Sequence, residues 1–428
     1  MADPASRETV AAVWRIESAR IVGALARYTG DLALAEDVAQ EALAEALVTW
    51  PRDGAPRNPA GWLLTVARRR AIDMFRRRAA LDDRYAALGA ALAEGGIASG
   101  GDPESPDGKS EGVLWDPDRI DDDVLALMFT ACHPVLSREA RVALTLRVVG
   151  GLTSDEIAKA FLVPTATVQA RITRAKKTLA AARVRFETPP AEERAARLGS
   201  VLSVLYVIFT EGSTASSGNT LIRFDLAGEA QRLARVLAHL MPREPEAHGL
   251  LALLELTAAR FPARTGPDGE PILLEHQDRR RWDRAAIRRG RAALARAAQV
   301  GRGLGPYGLQ AAIAECHAVA PTVEDTDWER IVLLYEALGR LAPSPITDLN
   351  RAVAIAMARG PAAALPLVDE LASAATLSAS HLLPTVRGEL LTRLGRTAEA
   401  RAELERAAEL CGNDRERAVL RRKLADLD

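Results

Sequence analysis

The chain has 428 residues, too many for one ordinary core and in keeping with two to four domains. Hydrophobic residues make up 48% and charged residues 26%, a globular balance, while 4% aromatic content with much alanine, leucine and arginine favours helix over strand. A net charge of -1 excludes a uniformly basic surface, and Cys132, Cys316 and Cys411 are too far apart for a disulfide framework or a CxxC pair, which points to a reducing cytosol.

Met1–Val10 carries no apolar leader and no run of 18 apolar residues occurs, so the expectation is a chain neither secreted nor membrane-spanning. Apolar residues at Val13, Ile16, Ile21, Val22, Leu25 and Ala26 fall near helical spacing, and Gly30 stops that helix. Asp31 caps the next, which turns Leu34, Val38, Leu43 and Leu47 inward and ends at Trp50-Pro51. Residues 31–50 hold five acids (Asp31, Glu36, Asp37, Glu41, Glu45) and no base. Pro51–Pro59 reads as a loop, with Asn58 capping and Pro59 opening a third helix that runs to about Arg78. Residues 57–78 hold seven arginines against the single acid Asp73. Nucleic acid repels the first block and attracts the second.

Glycine pairs and three prolines break periodicity over 79–123, where Leu81–Asp123 carries twelve acids and three bases; a flexible acidic linker is expected. Two apolar helices then flank Cys132-His133-Pro134 within 124–149. After Gly150-Gly151, Thr153-Ser154-Asp155-Glu156 caps a short helix to Phe161. Leu162-Val163-Pro164 makes a turn, and 165–185 forms a helix with six bases and no acid, a helix-turn-helix layout. Past Thr188-Pro189-Pro190 the chain reads as stacked helices, near 200–209, 225–241, 245–260, 282–300, 306–319, 326–341, 346–359, 361–375, 379–394, 397–411 and 413–427. Turns are expected at Leu338-Gly339-Arg340 and Leu394-Gly395-Arg396. Gly360 and Gly395 are 35 apart, near the period of tetratricopeptide helix pairs.

The stretch Ala35-Glu36-Asp37-Val38-Ala39-Gln40-Glu41-Ala42, followed by Asn58-Pro59-Ala60-Gly61-Trp62-Leu63 and on to Ala71-Ile72-Asp73, resembles region 2 of bacterial sigma factors of the extracytoplasmic-function group. Leu152–Ala158 with Val168, Arg171, Arg174-Ala175 and Lys176 resembles region 4. Phe209-Thr210-Glu211-Gly212, Ala215–Gly218, Leu274–Arg279 and Trp282-Asp283-Arg284 resemble the subgroup with a long C-terminal tetratricopeptide-like extension. The resemblance implies an all-α chain: a three-helix-type region 2 (1–78), the linker (79–123), a helix-turn-helix region 4 (124–187) and a helical extension (188–428).

It further implies a non-enzymatic cytoplasmic protein that binds core RNA polymerase through the β′ clamp helices and β flap, needs no cofactor or metal, and acts on promoter DNA. By motif match Asp37, Gln40 and Glu41 dock on the clamp. Arg68, Arg69, Arg76 and Arg77 hold the melted -10 strand, with Arg57 and Asn58 near a flipped base. Thr165, Thr167, Gln169, Arg171 and Arg174 read the -35 major groove, and Lys176 and Lys177 meet phosphates. Pro164, Ala166 and Gln169 depart from the family's usual Ser, Gly and Lys. A regulatory protein or ligand is expected on the extension.

Other residues invite other readings. The Gly/Ser stretch 212–218 lacks the GK[ST] ending of a phosphate loop and reads as an interhelical loop. Glu275, His276, Asp278 and Asp283 sit beside Arg279, Arg280, Arg281 and Arg284 and read as an ion-pair network; Cys132-His133 and Cys316-His317 point about 100° apart on a helix, poor geometry for one metal. Trp62 reads as core. Two further classes stay open: a conventional helix-turn-helix regulator with a tetratricopeptide-like sensing domain, and a scaffold whose basic helices are incidental.

Overall fold

The structure, a computed structural model, describes residues 4–94, 117–161, 163–213, 224–266, 270, 272–374, 377–378 and 380–427. The described residues form eighteen α-helices and three single 3-10 turns, with no strand among them. They divide into two compact units, Met1–Val204 and Leu205–Asp428.

In the first unit, α1 (Pro4–Thr29), α2 (Leu32–Asp53) and α3 (Pro59–Glu94) pack on one another. Ile21, Val22 and Leu25 of α1, Leu34 and Val38 of α2, and Leu63 and Leu64 of α3 are buried at the spacings that give each helix one apolar face. Removing a side chain such as Leu25 or Leu63 from this interior costs about 2–5 kcal/mol. Asp31 caps α2, its Oδ1 accepting from the amides of Ala33 (2.8 Å) and Leu34 (3.2 Å). Three expectations need correction. α2 runs past Pro51 to Asp53, because proline in the last turn forfeits one amide bond without ending the helix. Leu47 faces outward, 39% exposed. α3 continues beyond Arg78 to Glu94, and the next helix begins at Pro117, so both ends of the expected linker are helical; the alanine- and leucine-rich run after Ala79 supports helix despite its acids. The glycine-rich middle of that linker lies outside the described residues.

Four shorter helices follow: α4 (Pro117–Ala131), α5 (Arg138–Val148), α6 (Ser154–Phe161) and α7 (Thr165–Ala181). Leu127, Phe129, Leu144 and Leu146 are fully buried. At α6 the capping box is reciprocal: the Glu156 amide donates to Thr153 Oγ1 (3.1 Å) and the Thr153 amide to Glu156 Oε2 (2.8 Å). α8 (Ala191–Ser213) crosses the unit boundary. Its first half belongs with the preceding helices, since Arg197 donates to the Phe129 carbonyl (3.1 Å) and Ser200 to the Cys132 carbonyl (2.6 Å). The boundary expected at 188 therefore falls later. Glu192–Ser213 is long and apolar enough to cross a membrane by length and composition alone, and half of its most apolar window is buried in the protein.

The second unit is a run of antiparallel helices: α9 (Phe224–Leu240), α10 (Pro245–Ala258), α11 (Arg284–Val300), α12 (Pro306–Val319), α13 (Trp328–Leu341), α14 (Pro345–Arg359), α15 (Pro361–Ser373), α16 (Leu382–Arg393), α17 (Thr397–Leu410) and α18 (Asp414–Ala425). Each packs on its neighbours in sequence, and α10 with α12 and α14 with α16 also meet across one helix. The helix boundaries agree with the sequence reading to within a few residues. Gly395 makes the expected turn, with φ of +74°, whereas Gly339 lies inside α13 two residues before its end. The carboxylate of Glu255 on α10, 1% exposed, joins three helices by accepting from Arg235 of α9 (2.7 Å) and Arg289 of α11 (2.9 Å).

Candidate polymerase and nucleic-acid interface

α2 carries the acidic block on two faces. Glu36 points inward and is 5% exposed. Asp37, Glu41, Ala44 and Val48 lie outward at spacings of four, three and four, so at 100° per residue they form one narrow stripe, flanked by Gln40 and Leu47. Asp37 and Glu41 keep 62% and 53% of their side chains in solvent, and Val48 is 63% exposed. The stripe is thus acidic at one end and apolar at the other. Sequence reading found its acidic half and missed Leu47 and Val48; the outward register of Asp37 and Glu41, continued for two turns, reaches Val48.

Asn58 precedes α3 as the expected cap, its Oδ1 accepting from the Gly61 amide (3.0 Å) and leaving its Nδ2 for other partners. Arg57, Arg69, Arg76 and Arg77 are exposed, while Arg68 is half-buried with its guanidinium 5.8 Å from the centre of the Tyr28 ring. Arg70 turns the other way, toward Glu45 (3.0 Å) and Glu41 (3.8 Å), and these carboxylates raise its already high pKa. One of the seven arginines is therefore spent on α2. Phe75 is 38% exposed among the arginines. Trp62 is half-buried, edge-on to the buried Trp50 ring at 5.6 Å, which places it at the rim of the core.

In α7, Val168, Ile172, Ala175 and Leu179 are buried at spacings of four, three and four. Opposite them Gln169, Arg174 and Lys177 are exposed, with Thr165, Thr167 and Arg171 half-buried. Thr165 donates to Asp155 Oδ1 (2.8 Å), fixing the turn between the two helices of the motif. Pro164 stands at the N-cap and supplies no side-chain bond.

Lys176 is not on the outer face with Lys177. Only 14% of its side chain is exposed, and its ammonium meets Glu36 and, at 3.0 Å, Asp37. Arg147 of α5 donates to the second oxygen of Glu36 at 2.8 Å. Burial pushes the Glu36 carboxyl up, but Lys176 and Arg147 outweigh it and the net shift is down. Burial likewise lowers Lys176, and Glu36 with Asp37 reverse the sign. A residue expected on phosphate and one expected on polymerase are thus paired with each other.

The remaining candidates have structural partners. Burial drives the Cys132 thiol up to about 11, with Thr145 Oγ1 3.3 Å away, and His133 Nδ1 accepts from the Val135 amide (3.1 Å). Asp278 pairs with Arg280 (2.9 Å), and Asp283 caps α11. Arg279 is buried and donates to the carbonyls of His317 (2.7 Å) and Ala320 (2.6 Å) at the end of α12. Burial first, then Arg260 and Arg279, hold the His317 imidazole down at about 4. A group the sequence did not single out, His381, Cys411 and Glu416, places three possible ligand atoms within 4.8 Å of one another. There the His381 and Glu416 side chains meet at 3.5 Å and the thiol donates to the Asn413 carbonyl (3.4 Å). Residues 215–218 lie outside the described residues.

Residues 15–80 match the family described as Sigma-70 region 2, residues 126–179 that described as Sigma-70, region 4, and residues 197–298 a family of unknown function, DUF6596. Over 416 residues the chain is 44% identical to an uncharacterized protein of Rhizobium meliloti (strain 1021), a span of 95% of this chain and 93% of that one.

Proposed function

The chain belongs to the sigma-70 family, and from that membership we propose that it is a cytoplasmic, non-enzymatic initiation factor of the extracytoplasmic-function type. Its role in promoter-directed transcription follows from carrying regions 2 and 4. In this reading the stripe Asp37, Gln40, Glu41, Ala44, Leu47, Val48 docks on the β′ clamp helices. An acidic end sets register and encounter rate, and an apolar end that excludes water adds affinity. Arg68, Arg69, Arg76 and Arg77 hold the melted -10 strand, with Arg57 and Asn58 at the flipped base. Thr165, Thr167, Gln169, Arg171 and Arg174 face the -35 bases, Lys177 a phosphate, and region 4 meets the β flap.

The carrying observation is the separation of charge: an acidic stripe on α2, with exposed bases on α3 and α7. One surface cannot serve a basic protein and a polyanion together. The C-terminal helices, tetratricopeptide-like in their pairing, regulate activity by packing or by receiving a protein or ligand. Transcription in vitro with purified core polymerase, with start sites mapped, tests the reading. Specific starts are expected from the wild type and their loss from Asp37→Lys with Glu41→Lys. Tight specific duplex binding without polymerase, and no association with it, would replace this reading by that of a conventional regulator. A chain cut after Ser213 tests regulation: unchanged output and control would remove that part.

A further inference from the structure

Region 2 and region 4 are held together in this structure by a set of contacts that has no counterpart in reading DNA. Beyond the Glu36 network, Arg27 of α1 meets Asp123 of α4 at 2.9 Å, and Asp123 is 4% exposed. Arg15 of α1 meets Glu156 of α6 at 2.7 Å. Backbone fit accompanies the charges. A Cβ on Gly23 of α1 would come within 3.1 Å of the Asp123 carbonyl carbon, and one on Gly151 within 2.5 Å of Ser18 Oγ, with φ at Gly151 of +70°. The contact faces fit each other in shape, and each carries charges of both signs that pair across the contact.

The arrangement cannot engage a promoter. Elements at -35 and -10 lie about 25 base pairs apart, about 85 Å of duplex at roughly 3.4 Å per pair. Here the helix assigned to the first is bonded to the helix beside the arginines assigned to the second. Asp37 gives one oxygen to Lys176, at 3.0 Å, so a basic clamp helix that docks on this carboxylate competes with Lys176 for its charge. Glu36 is central because it is buried and takes a cation on each oxygen, Arg147 from α5 and Lys176 from α7. A buried carboxylate stays ionised only while such partners remain, which ties the closed form to that one side chain.

We propose that Glu36 is an intramolecular latch: it fastens the recognition helix of region 4 to the polymerase-docking helix of region 2, so that the free chain is closed and core polymerase must displace Lys176 to bind. This rests on the sigma-factor reading above. The latch makes docking and release of the -35 reader one event, because a basic clamp that takes Asp37 also removes a partner of Lys176. It keeps the unbound chain off DNA and lowers its apparent affinity for polymerase by the fraction that is open.

The test uses the full chain with cysteines placed at Arg15 and Glu156, where the native thiols are buried and silent. A short bis-methanethiosulfonate bridge locks the two domains and a reductant frees them. The locked chain is expected to lose core polymerase binding at least tenfold and to regain it on reduction. Separately, Glu36→Gln is expected to lower energy transfer between dyes on α1 and at the end of α7 in the free chain, and to raise core affinity about tenfold. Arg147→Gln should move both readouts the same way by less. Equal polymerase binding by locked and reduced chains overturns the latch, as does lost energy transfer in Glu36→Gln without gain in affinity. If the wild type itself fails to bind core polymerase, the sigma-factor reading fails instead.

Discussion

Glu255 offers a measurable test of how the C-terminal helices hold together. Its carboxylate is 1% exposed and uses both oxygens, one on Arg235 and one on Arg289, whose side chains keep 44% and 49% of their surface in water. Glu255→Gln keeps the volume and removes the charge. Breaking a fully buried pair costs about 3–5 kcal/mol because the orphaned charge stays buried. Here both arginines can swing into solvent, so about 2 kcal/mol is expected. For a unit of this size, 1 kcal/mol moves Tm by about 2–4 °C, giving a drop of about 4–8 °C, read by circular dichroism on the full chain. Glu255→Met, which fills the site without charge, should fall less than Glu255→Gln. A Tm within about 1 °C of wild type for Glu255→Gln, or a larger drop for methionine, would refute the argument that charge pairing across α9, α10 and α11 is what Glu255 supplies.

Lys177→Ala should reduce the slope of log affinity against log salt by about 1 for polymerase-bound chain on promoter DNA, with sequence preference unchanged. Filter binding across a salt series checks it, and an unchanged slope would take Lys177 off the phosphates. Cys132, Cys316 and Cys411 are all buried, so iodoacetamide should leave the native chain unmodified by mass and alkylate all three thiols only in denaturant. His317 is held neutral with a pKa of about 4 against about 6.5 when unfolded. The unfolded chain then binds the proton first as pH falls, so this stability is complete above pH about 6.5 and is lost progressively toward pH 4, by up to about 3 kcal/mol. Urea unfolding across that range should show the loss, and His317→Phe should flatten it.

The helices were legible because apolar residues three and four apart and Gly or Pro breaks act locally, and α9 to α18 follow them to within a few residues. Where local signals conflict, the helices run further than expected: Pro51 does not end α2, and the glycine and proline breaks expected over 79–123 leave the alanine- and leucine-rich run before Gly95 helical. The outer stripe was half visible, since Asp37 and Glu41 announce themselves by charge while Leu47 and Val48 look like core until register is known. Lys176 was misplaced for a different reason. Six bases over 165–185 suggest one basic face, but α7 ends at Ala181 and carries only four of them; position 176 adjoins the buried row of Ile172, Ala175 and Leu179, and only a partner 140 residues away in sequence reveals that it is spoken for.

Arg279 reaches the last carbonyls of α12 from 38 and 41 residues upstream in sequence, at His317 and Ala320. It thereby closes the end of a helix to which it is not locally attached. Peeling the segment around Arg279 away would leave those carbonyls without donors, so that segment and the last turn of α12 should open as one cooperative block. In hydrogen exchange, amides near 279 and near 317 would share a single opening free energy despite their distance along the chain.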